Sequence, residues 1–233
     1  MSNMLYSSEL FTRLRAATLA DWTPYIDHEF VRRLGDGTLP KAAFLHYLAQ
    51  DYVYLHHYAR AFALGVVKAG SLQETRLCAE IMHGLTVTEL PLHVGICARE
   101  GINEEALYNT KEEPENLAYT RYVLDCGQAG DFLDLLTALV PCAHGYGEIG
   151  TNLAATAKAG TPYQEWIDTY AGADFQQMCH TVGRLFDQAA QNRIGADFEN
   201  SPRWPKLCQI FATASRLEAN FWSMGLKGGL KGA

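Results

Sequence analysis

The sequence predicts an all-α protein. Three observations carry that expectation. Apolar residues recur at helical spacing through most of the chain. No stretch alternates apolar and polar residues at period two between hairpin turns. Short Gly-, Ser- or Pro-bearing stretches (35–40, 70–71, 127–130, 160–162) punctuate the apolar runs at intervals that suit helices joined by short connections.

Taken in order, Leu5 to Ala20 reads as an amphipathic helix. Thr23-Pro24 opens a second, with proline at a first-turn position, and Gly35-Asp36-Gly37 ends it. Leu39-Pro40 starts a third, Lys41 to about Ala69, with its apolar stripe at Phe44, Leu48, Leu55, Ala59, Phe62, Ala63 and Val66. Ser71-Leu72-Gln73-Glu74 has the spacing of a capping box. It opens a fourth helix that reaches about Glu100, with a disturbance expected at Pro91. Asn109 to Asn116 reads as a charged loop. Further helices follow over Glu115–Cys126, Asp131–Lys158, Tyr163–Tyr170 and Ala173–Gln191, and from Ser201-Pro202 to about Met224. One domain is expected over residues 1–225, with a glycine-rich, unstructured tail at 226–233.

Composition narrows the function classes. Hydrophobic residues make up 48% of the 233, and charged residues 19%, which supports a packed core. The formal charge of −7 and the lack of any dense Lys/Arg cluster argue against a nucleic-acid partner. No apolar run approaches a membrane span. Six scattered cysteines form neither a zinc pattern nor a disulfide framework. A reducing, cytoplasmic location is expected.

Leu139-Val-Pro-Cys-Ala-His-Gly-Tyr-Gly-Glu-Ile-Gly150 is the first stretch that suggests chemistry. Pro141 removes an N–H from a long helix, so a bend is expected there. Cys142 and Tyr146 are one turn apart and share a face. The small residues Ala143, Gly145, Gly147 and Gly150 leave room for a small-molecule pocket. The competing reading is a buried, inert cysteine. His144 lies about 200° round the helix from Cys142, so a Cys142–His144 dyad is not expected.

Two more faces carry polar groups. Tyr47, Asp51, Tyr54 and Tyr58 share one side of the third helix. A buried Asp51 needs a partner: a tyrosine or arginine within the protein, or the amidine-like edge of a ligand. On the last helix Glu218 and Trp222 are at i, i+4, and a glutamate beside indole suits a proton donor. If solvent-facing, it does not. Glu80-x-x-His83 has the spacing of di-iron helices, and Glu89 with His93 is another pair, but no second Glu-x-x-His exists and no metal site is expected.

Taken together, Gly35-Asp-Gly-Thr-Leu-Pro40, Gln50-Asp-Tyr-Val-Tyr-Leu55, Leu139 to Gly150, Tyr163 to Tyr170 and Glu218-Ala-Asn-Phe-Trp-Ser-Met224 resemble the TenA (thiaminase II) family, in its cysteine-bearing branch. The resemblance covers nearly the whole chain. It implies a single-domain haem-oxygenase-like helical bundle, a homotetramer, and no cofactor. It implies hydrolysis of 4-amino-5-aminomethyl-2-methylpyrimidine, and in many members of thiamin, to the hydroxymethyl pyrimidine used in thiamin salvage. By the same resemblance Cys142 is the nucleophile, Glu218 the proton donor and Tyr54 the phenol that supports the thiol. Asp51, Tyr119, Tyr146 and Tyr170 bind substrate. The readings that compete are a haem-oxygenase-like di-iron oxidase using Glu80/His83 or Glu89/His93, and a non-catalytic pyrimidine-binding or regulatory protein.

Overall fold

The computed structural model describes residues 4–228, and among them every regular element is helical. The chain divides into two compact units. One comprises Met1–Leu39 and Leu136–Ala219, the other Pro40–Leu135 and Asn220–Ala233.

The first unit opens with a 3-10 turn, Leu5–Ser7, followed by α1 (Glu9–Ala17), α2 (Leu19–Ile26) and α3 (Glu29–Asp36). The helix expected from Leu5 starts instead at Glu9, because Tyr6 and Ser7 sit at φ 48° and 55°, the left-handed region that a right-handed helix cannot contain. Ser8 caps α1 by accepting from the Phe11 N–H, and Asp187 accepts from the Ser8 hydroxyl and the Glu9 and Leu10 N–H groups. The expected break before Pro24 is also displaced. Pro24 lies inside α2, and the break falls at Asp27-His28, where the His28 ring accepts from the Phe30 N–H and caps α3. Gly37 at φ 78° ends α3 as the Gly-Asp-Gly signal predicts.

The same unit holds most of α9 (Phe132–Thr156), then α10 (Gln164–Ala171), α11 (Ala173–Ile194) and the first part of α12 (Trp204–Gly228). Glu148 of α9 accepts from both Nε and Nη2 of Arg15 (2.9 and 2.5 Å) and from the Trp22 indole (3.1 Å), which ties α1 and α2 to α9.

The second unit is built on α4 (Lys41–Lys68), with α5 (Leu72–Gly84), a π turn (Leu85–Glu89), α6 (Leu90–Arg99), α7 (Glu104–Tyr108) and α8 (Pro114–Ala129). Ser71 caps α5, and Glu74 reaches back to the Gly70 N–H, one residue beyond the usual capping-box partner. The disturbance expected at Pro91 is the π turn just ahead of it. Proline cannot donate to the Val87 carbonyl, and the wider turn accommodates the lost bond. The five-residue α7 went unforeseen, and α8 starts at Pro114, inside the stretch expected to be loop. Gln50 of α4 pins that stretch: it donates to the Lys111 carbonyl and accepts from the Glu113 N–H and the Asn116 amide. At the C-terminus α12 runs to Gly228, past the expected start of the tail at 226, and the rest of that tail lies outside the described residues.

Candidate active site

In the first unit α9 carries Cys142 half-buried and Tyr146 buried, one turn on. Tyr146 meets Tyr170 of α10 with ring centroids 4.9 Å apart, and Trp166 packs on both rings (5.8 and 4.4 Å). Glu218 of α12 is 2% exposed, so the solvent-facing alternative falls away. A carboxyl held out of water is the arrangement a proton donor needs.

The glycines of α9 do not leave open space as the sequence suggested. They admit neighbours instead. A Cβ at Gly145 would run into the Tyr25 ring, whose hydroxyl donates to the Pro141 carbonyl at 3.2 Å. At Gly147 it would lie 2.9 Å from the Cys179 sulfur and 3.0 Å from the Tyr6 hydroxyl. At Gly150 it would lie 2.5 Å from the backbone of Tyr170, so this glycine lets α10 approach and present its tyrosine.

His144 is fully buried between Tyr6 (4.8 Å, stacked) and Phe11 (4.4 Å, edge-on). Its Nε2 donates to the Cys179 carbonyl at 3.0 Å, and burial pushes its pKa down to about 3. It is a neutral core side chain of the N-terminal packing, in keeping with the absence of a dyad with Cys142.

In the second unit Tyr47, Asp51, Tyr54 and Tyr58 line one buried face of α4. The Tyr47 hydroxyl donates to Oδ2 of Asp51 at 3.1 Å. Tyr54 stacks on Tyr119 of α8 (5.0 Å, 27° between planes) and on Tyr58 (5.4 Å, 25°), with Phe221 edge-on at 5.7 Å. The structure therefore brings Tyr119, which spacing alone did not single out, onto the Tyr54 ring. It also places a residue that the sequence offered only as half of a metal pair. His93 of α6, 1% exposed, has Nδ1 3.6 Å from the same Asp51 oxygen.

Cysteine chemistry separates along the chain. Burial pushes the Cys78 thiol up to about 12, Cys97 to about 11 and Cys179 higher still, which makes all three poor nucleophiles. Glu80 and His83 are exposed on α5, and among the described residues no three His, Cys, Asp or Glu side chains come together as a metal-holding group. No helix among the described residues is long and apolar enough to cross a membrane. A separate cleft of about 510 Å³ in the first unit, lined by Ile26, Arg32, Asp36, Asn152 and Lys158 among others, contains none of the site candidates.

Comparison with known proteins places the chain. A family model described as TENA/THI-4/PQQC matches residues 16–228. A relative named aminopyrimidine aminohydrolase, from Halalkalibacterium halodurans, is 37% identical over 205 residues, 87% of this chain and 89% of the relative. The crystal structure of a TenA family transcription regulator from Silicibacter sp. TM1040 is similar at a TM-score of 0.92 and 51% identity, covering 94% of this chain and 97% of that one. A domain with a heme oxygenase-like fold from Shewanella denitrificans matches at a TM-score of 0.70 and 15% identity, over 93% and 92% of the two chains. The fold is all-α and haem-oxygenase-like.

Proposed function

The chain belongs to the TENA/THI-4/PQQC family, and from that premise we propose that it is a hydrolase of thiamin salvage, an aminopyrimidine aminohydrolase. Its substrate is 4-amino-5-aminomethyl-2-methylpyrimidine and its product is the 5-hydroxymethyl pyrimidine; thiamin, which many members of the family cleave, is the further candidate substrate. The observation that carries the reading is the position of Cys142, half-buried on α9 one turn from a buried Tyr146, within a chain 37% identical to a relative named for this activity.

Each residue then has a role. Asp51 holds the amidine-like edge of the pyrimidine. Tyr119, Tyr146 and Tyr170 contact the ring, and Tyr54 supports the sulfur as a nucleophile. The Cys142 thiolate adds to the electron-poor ring, and the ring electrons then expel the amine from the exocyclic methylene. Glu218 gives that amine its proton, and ammonia leaves. Water adds to the methylene, returns a proton to Glu218, and the C–S bond breaks to restore the thiolate. The net change is R–CH2–NH2 + H2O → R–CH2–OH + NH3. One difficult displacement becomes two easier steps, and general-acid help contributes typically about 10²–10⁴-fold. The scheme needs no metal and no organic cofactor.

The remaining parts of the reading rest on resemblance. Residues 1–225 form one domain, a view supported by α9 and α12, each of which runs unbroken through a unit boundary. The enzyme works in the cytoplasm as a homotetramer. The Silicibacter relative is described as a transcription regulator. For this chain, a net charge of −7 without a basic cluster disfavours direct DNA contact.

The test is ammonia release from the aminomethyl pyrimidine by metal-stripped protein. One ammonia per hydroxymethyl pyrimidine, unchanged by added iron, is expected. Turnover that appears only with iron would support a di-iron oxidase instead, and binding without turnover would support a regulatory protein.

A further inference from the structure

His93 has no part in the scheme above, yet its surroundings are unusual for a core histidine. It is 1% exposed, and among the described residues neither ring nitrogen has a hydrogen-bond partner. Buried polar groups are almost always paired, so two unmet nitrogens on one ring call for an explanation. Burial pushes its pKa down to about 4, so the ring is neutral and carries a single N–H. The polar atom it faces is Oδ2 of Asp51, 3.6 Å from Nδ1, just beyond hydrogen-bond range. That oxygen already accepts from the Tyr47 hydroxyl at 3.1 Å. The helix carrying His93 follows the π turn Leu85–Glu89, and such turns recur at functional sites.

We propose that His93 is a positioning residue for Asp51. Its Nδ1–H closes on Oδ2 when a ligand engages the carboxylate, a movement of roughly half an ångström. Two donors on one oxygen, from α4 and from α6, then fix the plane of the carboxylate. That plane sets the direction in which an amidine-like edge, with its coplanar pair of nitrogens, can meet it. The neutral ring adds orientation without adding a cation, so the carboxylate's charge remains available to the ligand. This inference rests on the reading of Asp51 as the substrate-holding residue.

The experiment compares KM, kcat and melting temperature on the aminomethyl pyrimidine for wild type, Asp51→Ala, His93→Leu, His93→Asn and His93→Gln. An asparagine amide can place an N–H where Nδ1 stood, and the longer glutamine cannot. His93→Leu and His93→Gln are expected to raise KM about tenfold with kcat within about twofold, a loss of binding rather than of transition-state stabilisation. His93→Asn is expected to return KM to within about threefold of wild type. A wild-type KM in a folded His93→Leu or His93→Gln would overturn the inference, as would an Asn variant no better than Gln. If Leu fails to fold, the Asn–Gln contrast still decides. A wild-type KM in Asp51→Ala would overturn the reading of Asp51 itself, whereas a raised KM there with unchanged His93 variants would overturn only the role of His93.

Discussion

At the scale of single residues, the stretch from Leu139 to Gly150 divides its labour in a way that spacing alone does not display. Cys142 and Tyr146 carry the proposed chemistry. Glu148 is structural, committed to Arg15 and Trp22. The glycines are contact points. Gly150 gives the clearest test, because the atoms a methyl would meet belong to backbone, at 2.5 to 2.8 Å from Tyr170 and Ala171. In a free helix Gly→Ala would stabilise by about 1 kcal/mol. Here α10 must shift, and Gly150→Ala is expected to cost about 1–3 kcal/mol net. Because α10 carries Tyr170 against Tyr146, a several-fold rise in KM should accompany the lower melting temperature. A more stable variant with wild-type KM would show that α10 does not depend on this close approach. The candidate site was legible in the sequence to an uneven degree. Helical spacing singles out Asp51, Tyr54, Cys142, Tyr146 and Glu218 as candidates and leaves a structural reading open beside them; their roles come from the family resemblance. Tyr119 and Tyr170 came from family resemblance, since a lone tyrosine carries no periodic signal. His93 enters the sequence reading only through its spacing from Glu89, because Asp51, the carboxylate it faces at 3.6 Å, lies far away in sequence on α4. A buried-face position on an otherwise apolar helix was the one available hint.

At the scale of elements, regular apolar stripes predict the long helices in kind and nearly in extent. α4 and α9 are the examples: Pro40 precedes the first without a side-chain cap, and the Asp131 side chain accepts from the N–H groups of Leu133 and Asp134 at the start of the second. Errors gathered where the deciding partner is remote or the cap unusual. α1 begins at Glu9 because Asp187, on α11, supplies its first acceptors. α3 begins at Glu29 because a histidine ring serves as its cap. The stretch around Lys111 is held by Gln50 rather than by turn chemistry of its own. Proline misled once and informed once. Pro24 suggests a helix start but sits within α2, whereas Pro91 does mark a disturbance, realised as a π turn ahead of it.

At the scale of the whole molecule, the two fully buried histidines couple stability to pH. Burial holds His93 at about 4 and His144 at about 3, both below the ordinary 6.5. Above 6.5 each ring is neutral in folded and unfolded chains alike, and neither ring costs the fold any stability. Below 6.5 the unfolded chain takes up protons that the folded chain refuses, so stability falls as pH falls toward 4 and 3. Between pH 7 and 5 the two rings together are worth on the order of 4 kcal/mol, or roughly 10 °C in melting temperature. His144→Phe, which gives up the bond to the Cys179 carbonyl and cannot be protonated, should remove about half of that slope. A wild-type melting temperature flat from pH 7 to 5 would mean that neither ring is held neutral by its burial in the fold.

The central claim is that Cys142 attacks the substrate, and the most direct measurement is single-turnover ammonia release by Cys142→Ala beside wild type, with both proteins shown to melt alike. The account predicts rapid release by wild type. It predicts loss of at least about 10³-fold in the variant, because the proposed covalent intermediate forms on the Cys142 sulfur. Undiminished release by a folded Cys142→Ala would contradict covalent cysteine catalysis and leave the buried carboxyl groups to activate water directly.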